Sequence, residues 1–252
     1  MMFRLAEATS AYEPIEEGEH VIVTDRYRLF LGQSDYPSQN FVQRLRMATG
    51  DVEATVEEVR TYAEERGRTA VTWEVSSQAT PADLAKKLTQ LGMSPGDPPM
   101  AAVMVLREAP RSSSAVVVRA VQSVDELREY LTISHEVFDR MDRLPAVLER
   151  ITEDYDFDDS RSGRYLAWID DKPVASARAT FTDDGVIMNG GGTRAWARGR
   201  GAYRALVLAR WQDAVSRGTP LLITRSGPMS QPILERLGFA SIGTIHFLVD
   251  RF

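Results

Sequence analysis

The 252-residue chain contains no cysteine, which excludes disulfides, thiolate metal sites and a cysteine nucleophile. Histidine is nearly as scarce: His20, His135 and His246 stand far apart. The close spacing of a histidine metal centre is missing, so no metal is expected. No apolar run approaches the ~18 residues of a bilayer-spanning helix. The opening Met1-Met2-Phe3-Arg4-Leu5-Ala6-Glu7 lacks the apolar stretch of a secretory signal. The expectation is a cytoplasmic protein with no membrane partner. Basic residues are in the minority, 30 against 36 acidic, for a net charge of -6. A broad nucleic-acid surface needs an excess of Lys and Arg to neutralise phosphates, so no nucleic-acid partner is expected.

What is present is the balance of a globular chain, 43% hydrophobic with 26% charged, enough to bury a core. The length suits one large domain or two compact ones. A polar, Ser-rich stretch over 108–114 reads as a linker, dividing the chain into 1–110 and 111–252. Beyond it, 115–119 reads as a strand, and Ser123 with Glu126 has the spacing of a capping box that opens a helix. A short helix is expected over 144–152. Three strands follow, over 164–169, 173–181 and 186–189, joined by Asp-rich turns as in an antiparallel meander. A Gly- and Arg-rich loop over 190–201 leads into a helix over 202–217, with Tyr203, Leu206, Val207, Trp211, Ala214 and Val215 on its apolar face. A strand over 221–224, a helix over 231–237 and a last strand over 242–249 complete the half.

The N-terminal half echoes this ending. A helix over 52–66, a strand over 69–75, a capped helix after 80–83 and a strand over 101–106 repeat the later order. The echo points to a duplication.

The chemistry is concentrated in Thr193-Arg194-Ala195-Trp196-Ala197-Arg198-Gly199-Arg200-Gly201-Ala202-Tyr203-Arg204. Two glycines stand directly before a helix, so a ligand can approach the backbone closely and meet the first free N–H groups. With the positive end of the helix dipole these donors form an anion site. Arg194, Arg198, Arg200 and Arg204 gather there in an otherwise acidic chain, and guanidinium forks suit phosphate oxygens. A solvated turn with surface arginines remains the plain alternative. A Rossmann fingerprint at Gly190-Gly191-Gly192-Thr193-Arg194-Ala195 is weak, because the helix begins several residues too late and the strands before it form a meander.

Arg198-Gly199-Arg200-Gly201-Ala202-Tyr203 resembles the [RQ]-x-x-G-x-[GA] acetyl-CoA loop of the GNAT acetyltransferases. It departs at Tyr203, where the family has a small residue. Asp171-Lys172-Pro173-Val174 and Ile233-Leu234-Glu235-Arg236-Leu237-Gly238-Phe239 are similar to the family's hairpin and late helix. The resemblance covers about the last 135 residues. It implies an α/β fold of tandem GNAT-like domains, each a mixed, mainly antiparallel sheet flanked by helices, the first degenerate and without a CoA loop. It also implies an N-acetyltransferase that moves an acetyl group from acetyl-CoA to the primary amine of a small molecule by direct attack. Gly192, Thr193 and Ala195 would face the pantetheine arm, and Arg198, Gly199, Arg200, Gly201, Ala202, Tyr203 and Arg204 the pyrophosphate. The family's Tyr acid is absent, its position falling on Leu234. Ser230 or Ser226 stand as acid candidates, with Ser230 equally suited to a helix N-cap. Glu136, His135 or Asp156 stand as base candidates, and the Phe252 carboxylate is read as a frayed end. A homodimer stays open. The other class of reading is a CoA-binding regulatory or scaffold protein without turnover.

Overall fold

A computed structural model describes residues 3–13, 15–111, 114–151, 155–157 and 159–252. Its elements in chain order are α1 (Phe3–Glu7), β1 (His20–Val23), β2 (Arg28–Leu31), β3 (Asn40–Gln43), α2 (Val52–Glu64), β4 (Ala70–Ser76), α3 (Leu84–Gln90) and β5 (Ser94–Leu106). There follow β6 (Val117–Ala120), α4 (Val124–Val137), α5 (Leu144–Leu148), β7 (Ser162–Ile169), β8 (Lys172–Thr182), β9 (Gly185–Thr193), α6 (Ala202–Ser216), β10 (Leu222–Ser226), α7 (Gln231–Leu237) and β11 (Ala240–Arg251). Parts of the expected linker (Ser112, Ser113) and of the helix over 144–152 (Thr152) fall outside the described residues.

The chain forms two compact units that do not follow a single cut at 110. The first takes residues up to Met104 together with Arg225–Gln231 and Ser241–Phe252; the second takes Val105–Thr224 and Pro232–Ala240. The expected division differs because backbone pairing decides unit membership. β11 runs antiparallel to β4 from Ile245↔Ser76 to Arg251↔Ala70, so the last strand of the sequence completes the sheet of the first unit.

In that first unit the strand order is β1-β2-β3-β4-β11-β5. β1, β2 and β3 are antiparallel neighbours, whereas β3 and β4 run parallel because α2 carries the chain across between them. Alternation along β4 aims Val71, Trp73 and Val75 at α2 and α3, where they join Leu29, Leu31, Val42, Val56, Val59, Leu84, Leu88 and Leu248 in one core. The short early strands, four residues each, are additions to the sequence reading, which recognised only the later elements of this half. Phe252 is no frayed end: its N–H donates to the Thr69 carbonyl at 3.0 Å, and its side chain packs against the same core.

The second unit carries the expected meander. β6, β7, β8 and β9 pair antiparallel in sequence order, and β10 joins β9 in parallel across α6. Asp170 and Asp171, with φ of 51° and 57°, make the two-residue turn between β7 and β8, where left-handed central residues match strand twist. Ser123 caps α4 by accepting from the Glu126 N–H at 3.2 Å, and Glu126 reaches back to the Gln122 N–H. The capping box is therefore formed, one residue wider than the minimal pattern. α4 supplies Leu127, Tyr130 and Ile133 to a core that includes Leu166 of β7.

Candidate active site

An inner strand of the second unit, β9, is interrupted. Arg178 pairs with Asn189 and Ser176 with Gly192, so Ala177 stands opposite two residues, Gly190 and Gly191. This is a β-bulge, and Gly190 takes the left-handed conformation (φ 54°) that a bulge of this kind requires of its first residue. The bulge locally breaks the ladder and redirects backbone donors away from the neighbouring strand.

Both faces of the sheet crowd this point. A Cβ on Gly191 would stand 3.2 Å from Tyr203 Cε2 and 3.4 Å from Arg210 Nη2, both of α6. A Cβ on Gly192 would stand 2.2 Å from Val137 Cγ1 of α4. The two helices therefore press on opposite faces, and only glycine lets the strand run between them. The triplet lies inside β9 rather than in a turn that opens a helix, which removes the dinucleotide fingerprint as a reading.

From Thr193 the chain makes a 3-10 turn at Ala195–Ala197 and enters α6 through Gly201, whose φ of 92° is left-handed and whose position carries no side-chain cap. Gly199 is also left-handed, at 79°. The first N–H groups of a fifteen-residue helix are thus left for an external acceptor. The four arginines of the loop divide into two kinds. Arg194 turns away to α4, donating from Nε to Glu136 at 2.8 Å and from Nη1 to Glu129 at 2.9 Å and the Pro173 carbonyl at 3.1 Å. Arg200 pairs with Asp170 at 2.7 Å. Arg198 donates only to the Thr193 carbonyl, at 3.3 Å, and neither it nor Arg204 meets a carboxylate among the described residues. Thr193 Oγ1 is buried with no hydrogen-bond partner among them. A negatively charged, elongated ligand fits this set: two uncompensated guanidinium groups, an open helix start and an unsatisfied hydroxyl along one path.

The loop residues lie between β9 and the first turn of α6, and the acid–base candidates lie on separate elements. Glu136 lies at the end of α4 in the second unit, committed to Arg194. His135 Nδ1 contacts the Leu131 carbonyl of its own helix at 2.8 Å, and Asp156 is exposed. Ser230 belongs to the first unit and its hydroxyl donates to the Gly227 carbonyl at 3.3 Å, a turn contact. Ser226 is buried against the Ala102 carbonyl at 3.4 Å. Leu234 is fully buried.

One residue of this region escaped the sequence reading. Arg210 is 1% exposed, in the middle of α6. Its signal was its position, seven residues after Tyr203 on the stripe that also holds Leu206 and Trp211.

The fold recurs in solved structures. A GCN5-related N-acetyltransferase from Kribbella flavida superposes with a TM-score of 0.72 at 20% identity, over 92% of this chain and 89% of that one. The fold is that of the GNAT acetyltransferases. One from Sphaerobacter thermophilus gives 0.60 at 14% identity, over 98% and 90%. A tandem GNAT protein from the clavulanic acid biosynthesis pathway gives 0.59 at 17%, over 89% and 78%. No family model and no curated protein matches the sequence. Two GNAT-like halves in one chain agree with the echo seen in the sequence. In the GNAT frame, β9 and α6 are the strand and helix on either side of the glycine–arginine loop.

Proposed function

We propose that this chain is an N-acetyltransferase that binds acetyl-CoA at the β9–α6 loop and acetylates a primary amine of a small molecule. The observation that carries the reading is the open start of α6, where left-handed Gly201 leaves the helix without a side-chain cap and Arg198 and Arg204 have no carboxylate partner among the described residues. A pyrophosphate there accepts from backbone N–H groups and from both guanidinium forks. Gly199, Arg200, Ala202 and Tyr203 line the same turn. The pantetheine arm then extends past Ala195 and Thr193 towards Gly192, which sets the thioester by the bulge. Backbone donors released by the bulge polarise the thioester carbonyl without reorganising during the reaction. The amine nitrogen bonds to the carbonyl carbon, the carbon–sulfur bond breaks, one amine proton leaves and the sulfur takes one up.

The first unit serves no second cofactor in this reading. Its counterpart of α6 is α2, whose start carries Asp51 and Glu53. Carboxylates at a helix N-terminus repel the phosphates that arginines at α6 attract.

Isothermal titration with acetyl-CoA tests the reading, run beside an Arg198→Ala, Arg204→Ala double variant. Saturable binding that the double variant weakens at least tenfold supports it. A folded wild type that binds no acetyl-CoA overturns it. The second reading, a CoA-binding protein without turnover, draws on Leu234 standing where the family has its Tyr acid. Because the chain has no cysteine, thiol release from acetyl-CoA can be followed with a thiol reagent free of protein background. Binding without amine-dependent thiol release across an acceptor panel would favour that second reading.

A further inference from the structure

The Arg210 guanidinium is fully buried in α6, yet no carboxylate among the described residues pairs with it. Nε donates to the Leu206 carbonyl one turn back at 2.9 Å. Nη1 donates at 3.3 Å to the carbonyl of Arg178, the β8 residue at which the register with β9 breaks. Nη2 is buried with no hydrogen-bond partner among the described residues. It points to the neighbourhood of Gly191, 3.4 Å from where that residue's Cβ would stand. An arginine does not shed its proton in a protein, so this is a permanent positive charge in a low-dielectric interior. Burying an uncompensated charge costs several kcal/mol, and a methionine would fill the volume without that cost. Local packing gives no reason for the charge.

We infer that Arg210 is a positioning residue for acetyl transfer, which braces the β9 bulge from the α6 side and places a fixed positive charge behind the thioester carbonyl. The inference rests on the reading above that puts the thioester at the bulge. Three contacts make the brace: Nη1 holds β8 at the register break, Nη2 abuts Gly191, and the Tyr203 ring shares that contact. Val137 closes the opposite face at Gly192. With both sides fixed, the backbone donors of the bulge keep one direction. As negative charge grows on the thioester oxygen, a cation in a medium that screens poorly stabilises it more than water would. Asp213, the acidic residue of α6, accepts from the Tyr165 hydroxyl and makes no ion pair with Arg210 among the described residues.

The test compares wild type with Arg210→Met and Arg210→Gln, and with Arg210→Lys for rescue. Bound acetyl-CoA labelled with 13C at the thioester carbonyl is observed by difference infrared spectroscopy, and its slow hydrolysis is followed by thiol release. The expected result is acetyl-CoA affinity within about threefold of wild type in every variant. The carbonyl stretch, lowered on binding to wild type, returns towards its free value in the neutral variants, and hydrolysis falls 10- to 100-fold. Lysine restores part of both. Gln keeps a donor for the Arg178 carbonyl and decides the matter where Met does not fold. A folded neutral variant with the wild-type carbonyl stretch and hydrolysis rate would overturn the inference. A wild type that binds no acetyl-CoA fails at the titration, which sinks the functional reading itself and is told apart by that earlier step.

Discussion

Asp250, two residues from the C-terminus, accepts two hydrogen bonds from Arg60 of α2, at 3.0 and 2.8 Å. The partners are 190 positions apart in sequence, and Asp250 is almost wholly buried. The last strand is thereby locked to α2 and β4 of the first unit. Removing Arg60 strands a buried carboxylate, which costs about 3 kcal/mol. Arg60→Ala should lower the urea midpoint accordingly, whereas Glu57→Ala, which removes the exposed partner of Arg60, should move it by less than about 0.5 kcal/mol.

The same pairing makes the N-terminal half dependent on the C-terminal strand. A fragment of residues 1–110 lacks β11 and with it Leu248, and it leaves a full edge of β4 unpaired. Unpaired strand edges are both costly and aggregation-prone. The fragment should give no cooperative thermal transition, and adding a synthetic 240–252 peptide should restore protection of the β4 amides in hydrogen exchange. Independent cooperative folding of 1–110 would contradict the strand assignment.

Gly192 should tolerate no side chain. Alanine would place its Cβ 2.2 Å from Val137 Cγ1, and overpacking of this kind costs about 1–3 kcal/mol where the backbone must shift. Gly192→Ala should lower stability by at least about 1 kcal/mol and weaken acetyl-CoA binding. Val137→Ala in the same chain should recover most of the binding, a coupling that a double-mutant cycle reads directly.

Glu58 gives the first unit an acid-sensitive contact. The Tyr27 hydroxyl, which donates to Oε1 at 2.6 Å, and then the Arg26 guanidinium hold its carboxyl below the usual carboxylate range. A folded pKa below the unfolded one adds stability that is present above the ordinary carboxylate range and lost as pH falls through the folded value. The thermal midpoint should drop between about pH 5 and pH 3. Glu58→Gln should be less stable at neutral pH and show a shallower acid limb.

The acid–base candidates separate by partner. Glu136→Gln breaks the charge pair that holds Arg194 at the start of the loop, so acetyl-CoA affinity should fall together with turnover. Ser230→Ala removes a turn contact and should leave thiol release within about threefold of wild type. A selective loss of turnover in either variant, with affinity unchanged, would instead mark that residue as a proton carrier.

Local chemistry was legible in the sequence. Gly199 and Gly201 before an apolar-faced helix, the Ser123–Glu126 cap and the Asp170-Asp171 turn each follow from steric and hydrogen-bonding rules that act within a few residues. The proposed anion site was readable because its donors are backbone groups whose direction the local conformation sets. Three things were decided only by tertiary structure. Which of the four arginines stay unpaired depends on Glu129, Glu136 and Asp170, brought in from other elements. The burial of Arg210 depends on how closely α6 lies on β9. β11 reads locally as the end of the second half and belongs to the first unit, because strand pairing is non-local and its hydrogen bonds carry no sequence signature.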